Sequence, residues 1–204
     1  ENNAQLSVLN RDYFYQANDD GKTWSFASSG STLKLPVGPL ALDNISTAVA
    51  ALLVSGLDIS QTAIAIGIEQ ARLQGRFEIR QIQGKTVIFD AGHNPHGVEF
   101  LLQQLQNFLK HYPRYSSVTA VFSMLADKDI TAVTNLLKTT VKDWFIATLD
   151  VPRAAPMSQL QAALHAQQVY EFGSIQQAFA TALQQSNNNQ LILVCGSFHT
   201  LEAV

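Results

Sequence analysis

The sequence has one cysteine, two methionines and two tryptophans in 204 residues, and only 14% of it is charged. A lone Cys195 excludes any disulfide within the chain, which suits a reducing cytoplasm. Thirteen lysines and arginines against 16 aspartates and glutamates leave a net charge of −3. That gives no electrostatic footprint for nucleic acid or an anionic membrane surface. The longest apolar run, TAVAALLVSGL from Thr47 to Leu57, falls short of the roughly 18 residues that a membrane span needs. The 11 glycines form neither a P-loop nor a G-x-G-x-x-G pattern, so the chain has no phosphate cradle of its own. The segment CGSFH lacks the second glycine of G-x-S-x-G, which argues against a serine hydrolase.

What is present is a chain that is 47% hydrophobic and long enough to bury a proper core. Its first residue is Glu1 rather than methionine, and the opening ENNAQLSVLNRDYFYQ has no core of its own. These two features suggest a piece of a longer protein. From Gln5 to Leu35 the pattern is strand-like, with Asp20-Gly21 as a hairpin turn between aromatic-rich runs. Two helices are expected next: one with Asp43 as cap and Ile45, Ala48, Val49 and Leu52 on its apolar face, and one from Ser60 to Leu73.

After QGRFE the texture changes. Short apolar runs at 78–82, 86–89, 118–122, 144–148, 168–170 and 191–194 alternate with helical patterns at 98–110, 130–141, 158–166 and 175–185. This alternation predicts an α/β fold, a Rossmann-like, mostly parallel, doubly wound sheet. A boundary near Gly75 separates an incomplete piece, residues 1–74, from a nearly complete domain, residues 75–204.

Ligands of an open parallel sheet bind beyond the carboxyl ends of its strands. The segments that follow the strands there are DAGHNPHG, SMLADKD, LDVPRA and CGSFHT. Together they bring Asp90, His93, Asn94, His96, Asp127, Lys128, Asp129, Arg153, Ser197 and His199 to one edge. The opposite edge, built from loops such as YPRYSS and SNNNQ, reads as ordinary surface. Each residue also has a plainer explanation. Asn94-Pro95 starts a helix, Asp129 caps one, and Asp90 is a turn former. His93 and His96 flank Pro95 and no third ligand is evident, so they do not read as a zinc site.

FDAGHNPHG resembles the C-terminal domain of folylpolyglutamate synthases, the often bifunctional dihydrofolate synthases of the Mur ligase superfamily. LDNISTAVAAL resembles the helix that closes the family's central ATPase domain, and LQGRFE the hinge after it. SMLADKDI, VPRAAP and LVCGSFHT follow in the family's order. The resemblance covers nearly the whole chain, most weakly its first 40 residues. It implies a ligase of folate biosynthesis and one-carbon metabolism that works in the cytoplasm as a monomer. ATP phosphorylates a carboxylate of folate or dihydropteroate, and the amine of L-glutamate attacks the acyl phosphate to give an amide, ADP and phosphate. Repetition gives polyglutamylation. Residue by residue, Asn44 meets adenine, Asp90 the ribose hydroxyls and Arg76 the phosphates, while His93, Lys128, Ser197 and Arg153 hold glutamate. Arg76 and His93 are the catalytic candidates, and His199 is a further candidate for the glutamate pocket. Mg2+ ligands and the P-loop belong to an upstream domain of the same polypeptide, so this chain alone is expected to be inactive. The alternative is a stand-alone nucleotide- or amino-acid-binding regulatory module without catalysis.

Overall fold

Alternating aromatics organise the start of the chain. The computed structural model describes residues 6–28 and 30–204, so Gln5 of the expected strand region lies outside them. The chain divides into two compact units that meet between Arg72 and Leu73.

In the first unit β1 (Tyr13–Ala17), β2 (Thr23–Ser28) and β3 (Ser31–Pro36) form an antiparallel meander. The expected hairpin is there, with the Asp20 carboxylate accepting the Lys22 and Thr23 N–H groups across its turn at 2.9 and 2.8 Å. Tyr13, Trp24, Phe26 and Leu35 are buried with Ile45 and Val49 of α1 (Leu42–Val54) and Ile64 and Ile68 of α2 (Gln61–Gln70). Ser60 caps α2 as expected, accepting the Ala63 N–H. Asp43 does not cap α1. The cap position is Ala41, which has no capping side chain, and Asp43 sits in the first turn, where a negative charge favours the helix dipole. There it accepts the hydroxyl of Tyr15, whose pKa is pushed up to about 12 by that bond.

The second unit is a six-stranded sheet in the order β4-β5-β9-β6-β7-β8. Its strands are β4 (Glu78–Ile82), β5 (Lys85–Asp90), β6 (Ser117–Phe122), β7 (Val141–Ile146), β8 (Gln168–Glu171) and β9 (Gln190–Cys195). All pairs are parallel except β4 with β5. Those two join through Gln83 and Gly84, both at positive φ (51° and 76°), a turn of the kind that matches strand twist.

Five helices complete the unit: α3 (Pro95–His111), α4 (Ile130–Leu137), α5 (Met157–Ala163), α6 (Ile175–Gln185) and the short α7 (Phe198–Glu202). Ile88, Ala120, Phe122, Trp144, Ile146, Leu191 and Leu193 pack under α3, α4 and α5. Their alternates Val87, Phe89, Val121, Phe145, Ile192 and Val194 pack under α6 and Leu201 of α7. Burial on both faces explains why the strands read as continuous apolar runs. Three successive crossovers step outward over the first face, and α6 then returns the chain to β9, between β5 and β6. β9 is therefore where the winding reverses, and the loops after β5, β9 and β6 meet at its carboxyl end.

Candidate functional site

The loop after β5 is organised by Asp90. Its side chain is only 5% exposed, and both oxygens accept backbone donors, from Phe77 at 2.9 Å and Gly92 at 2.7 Å. Burial raises its carboxyl pKa, while the two N–H groups and the charge of Arg76 pull it part of the way back. A Cβ on Gly92 would stand 2.9 Å from Asp90 Oδ1, so a side chain there would displace the carboxylate. Phe77 is held at φ 44°, a left-handed conformation that costs a non-glycine residue about 1–2 kcal/mol. The Asp90 bond and ring contact with Phe108, centroids 6.2 Å apart, keep it there. Ala91 N–H donates to Gly75 O at 2.8 Å. Residues 75–77 are thus fastened to the end of β5, which delivers Arg76 to the edge.

Arg76 lies with its guanidinium carbon over the Phe198 ring, 5.0 Å from its centroid, a cation–π contact that leaves its N–H groups to other partners. Phe198 opens α7, and Ser197 before it is the cap: its buried Oγ accepts the His199 N–H at 3.2 Å. A capping serine uses a lone pair for this and keeps its hydroxyl hydrogen to give elsewhere. The sharp turn into this cap needs Gly196, at φ 107°, where a Cβ would stand 2.3 Å from Ser123 O. Thr200 donates to the same carbonyl at 2.9 Å. The loops after β6 and β9 are therefore locked together.

His93 is half-buried, with Nδ1 3.0 Å from Ala91 O. A carbonyl can only accept, so that nitrogen carries hydrogen, which in the neutral tautomer leaves the lone pair on Nε2. Asn94 caps α3 through the Gly97 N–H, and Asp129 caps α4 through the Ala132 N–H. Both follow the plainer reading. His96 is exposed on the first turn of α3.

The loops after β6 and β7 are joined by two backbone bonds, Ala126 N–H to Arg153 O at 2.8 Å and Ala155 N–H to Met124 O at 2.9 Å. This places Lys128 Nζ 3.0 Å and Arg153 Nη1 3.8 Å from the same Asp127 oxygen. Lys128 holds the Asp127 carboxyl below its usual range. Two cations on one acid leave a surplus positive charge. His199 Nδ1 lies 3.4 Å from Glu202 Oε2, and both line a cleft that also contains Asp150.

Asn44 is exposed in the first turn of α1, in the other unit. Among the described residues no three His, Cys, Asp or Glu side chains gather into a group that could hold a metal ion. No helix among the described residues is long and apolar enough to cross a membrane. Sequence reasoning missed Phe77, Gly92, Gly196 and Phe198. The signal for Gly196 was available: a glycine directly after a buried strand and before a capping serine.

Residues 75–198 match the family described as Mur ligase, glutamate ligase domain. The chain is 38% identical over its whole length to the dihydrofolate synthase/folylpolyglutamate synthase of Escherichia coli strain K12, of which it covers 46%. The solved structure of E. coli FolC in complex with DHPP and ADP is similar at a TM-score of 0.76 and 39% identity, over 95% of this chain and 45% of that one. A crystal structure of a bifunctional folylpolyglutamate synthase/dihydrofolate synthase with Mn, AMPPNP and L-glutamate bound is similar at a TM-score of 0.78 and 32% identity, over 96% and 46%. The chain spans about half the length of these relatives. Within an α/β sheet whose carboxyl edge gathers Arg76, Asp90, His93, Ser197 and the Lys128–Asp127–Arg153 cluster, the match is decisive: the chain belongs to the Mur ligase family and carries its glutamate ligase domain.

Proposed function

We propose that the chain is the glutamate-accepting part of an ATP-dependent ligase of folate metabolism, working joined to a P-loop domain in the cytoplasm. The observation that supports this most is that the loops after β5, β6 and β9 converge at one edge with donors and cations that suit an amino acid and a nucleotide. In the reaction, a carboxylate of folate or dihydropteroate takes the γ-phosphoryl group of ATP. The glutamate amine then attacks the acyl carbon, the amide forms, and phosphate leaves.

The assigned roles follow from the atoms each residue offers. Arg76 meets the phosphates, its guanidinium held over Phe198, so a bidentate contact forms with little further ordering. Asp90 uses the remaining lone pairs of its carboxylate for ribose hydroxyls, and Asn44 approaches adenine. The Lys128–Arg153 pair and the Ser197 hydroxyl hold the carboxylates of glutamate. The ammonium of incoming glutamate must lose a proton before it can attack. His93 Nε2, with its lone pair set by the Nδ1 contact to Ala91, accepts a hydrogen bond from the glutamate nitrogen and so holds glutamate for the attack. Magnesium ligands are assigned to the P-loop domain, and the 204-residue chain alone is predicted not to ligate glutamate.

The test is steady-state kinetics on the chain joined to its P-loop domain, with each substrate varied in turn. Arg76→Ala is expected to weaken use of ATP and lower kcat, while His93→Ala and Ser197→Ala raise KM for glutamate. An ATP defect in Ser197→Ala with unchanged glutamate kinetics would contradict the assignment of the β9 loop. ADP release by the 204-residue chain alone, dependent on folate and glutamate, would contradict the division of labour between domains.

A further inference from the structure

The amino edge of the six-stranded sheet is not ordinary surface. The β4–β5 hairpin, the segment before β6 and the asparagine-rich loop before β9 enclose a cavity of about 270 Å³, and no aspartate or glutamate lines it. Its floor is a chain of hydrogen bonds. Gln81 Nε2 donates to Thr86 Oγ1 at 2.7 Å, the Thr86 and Tyr115 hydroxyls bond at 2.6 Å, and Arg114 Nη2 donates to the Tyr115 oxygen at 2.7 Å.

Counting hydrogens shows what this chain lacks. Thr86 and Tyr115 own two hydroxyl hydrogens and use one between them, and the outer partners only donate. One hydroxyl hydrogen is therefore left over, on a residue no more than 7% exposed, and buried donors need acceptors. The asparagine loop does not supply one. Asn187 Oδ1 accepts the Asn189 N–H at 2.8 Å, Gln190 Oε1 accepts the Asn187 N–H at 2.8 Å, and Asn188 Oδ1 accepts Lys85 Nζ at 3.1 Å. Each of these amides turns its oxygen to those donors and has N–H groups left to offer. Lys85 and Arg114 add two positive charges, and the Arg114 guanidinium is fixed 4.8 Å from the Tyr115 ring centroid.

We propose that this cavity binds a small oxyanion, a phosphate or a carboxylate, at the edge of the sheet opposite the ligase site. Its oxygens accept the spare hydroxyl hydrogen and the amide N–H groups, and its charge is balanced by Lys85 and Arg114.

The test is a titration of the 204-residue chain, followed by two-dimensional amide NMR at constant ionic strength, with inorganic phosphate, glutarate or chloride. Saturable shifts at residues 84–86, 114–116 and 187–190 are expected with phosphate or glutarate and not with chloride, and the anion that produces them identifies the ligand class. Lys85→Gln and Arg114→Gln should each weaken binding at least tenfold, while Lys22→Gln in the first unit leaves it unchanged. Lys85 Nζ donates to the exposed Asn188 side chain, so Lys85→Gln decides the matter if Arg114→Gln fails to fold. No saturable shift in this region, an equal response to chloride, or unaltered affinity in Lys85→Gln would overturn the proposal.

Discussion

The two edges of the six-stranded sheet use polar groups in opposite ways. At the carboxyl edge several polar side chains first serve the backbone: Asp90 holds Phe77 and Gly92, Ser197 caps α7, Asn94 caps α3 and Asp129 caps α4. What each has left over points to function: the hydroxyl hydrogen of Ser197, the Nε2 lone pair of His93, the N–H groups of Arg76. At the amino edge the side chains bond mainly one another, from Gln81 to Arg114, and end with a donor in excess. The carboxyl edge therefore carries both structural and chemical roles, and a substitution there has two effects that must be separated. At the amino edge the Lys85 hydrogen bond to Asn188 joins side chain to side chain, so replacing Lys85 is expected to have little effect on loop geometry.

The largest expected effect comes from closing the turn that joins two carboxyl-edge loops. Gly196→Ala places a methyl group 2.3 Å from the Ser123 carbonyl at φ 107°. Strain of this kind costs about 1–3 kcal/mol before any clash is counted, so chemical denaturation should show a loss of at least about 3 kcal/mol. A loss below about 1 kcal/mol would mean the two loops are not locked. Next is Asp90→Ala, which leaves two backbone N–H groups without their acceptor at about 1–3 kcal/mol each. Melting temperature should fall along with the use of ATP, whereas Lys85→Gln at the amino edge should leave both almost unchanged. An Asp90→Ala variant that melts like the parent would show that the carboxylate is not the organiser of its loop.

How much of this was legible in the sequence follows the same division. The buried strands were legible because two-faced burial writes them as apolar runs, and strand-to-helix alternation fixed the edge where the loops collect. β7 starts at Val141, three residues before the expected Trp144, because Lys142 and Asp143 look like loop although Val141 and Asp143 pair with β6, Asp143 also pairs with β8, and Lys142 falls at a register shift between Val141 and Asp143. α4 ends at Leu137, short of the expected 141, and α7 is too brief for periodicity to reveal. The antiparallel β4 turns on Gln83-Gly84, a less telling pair than Asn-Gly. Asp43 was misread as a cap because helix starts are marked by residue type, whereas its partner Tyr15 is 28 residues away. The amino-edge network escaped for the same reason, since Thr86 and Tyr115 meet only when β5 and β6 flank β9.

A smaller effect is expected from pH. Asp90 has its folded pKa raised, so the folded chain holds its proton more tightly than the unfolded one, and its contribution to stability is lost as pH rises through that value. Glu78, held low mainly by the Gly75 N–H, and Asp127, held low by Lys128, act in the opposite sense and lose their contribution as pH falls. Asp90→Asn should therefore remove the component of stability that declines as pH rises across the acid range, while the component that declines on acidification remains. Urea midpoints between pH 3.5 and 7 for parent and variant would show this, and parallel curves would contradict it.

The central claim is that the carboxyl edge separates nucleotide from glutamate. It is tested most directly by kcat/KM for L-glutamate and for ATP, measured on parent and His93→Ala in the proposed ligase, this chain joined to a P-loop domain. A lost hydrogen bond to a charged group costs about 1.5–3 kcal/mol, roughly ten- to a hundredfold. The account predicts a fall of that size for glutamate with ATP use within about threefold of the parent. An equal fall for both substrates, or a fall for ATP alone, would contradict it.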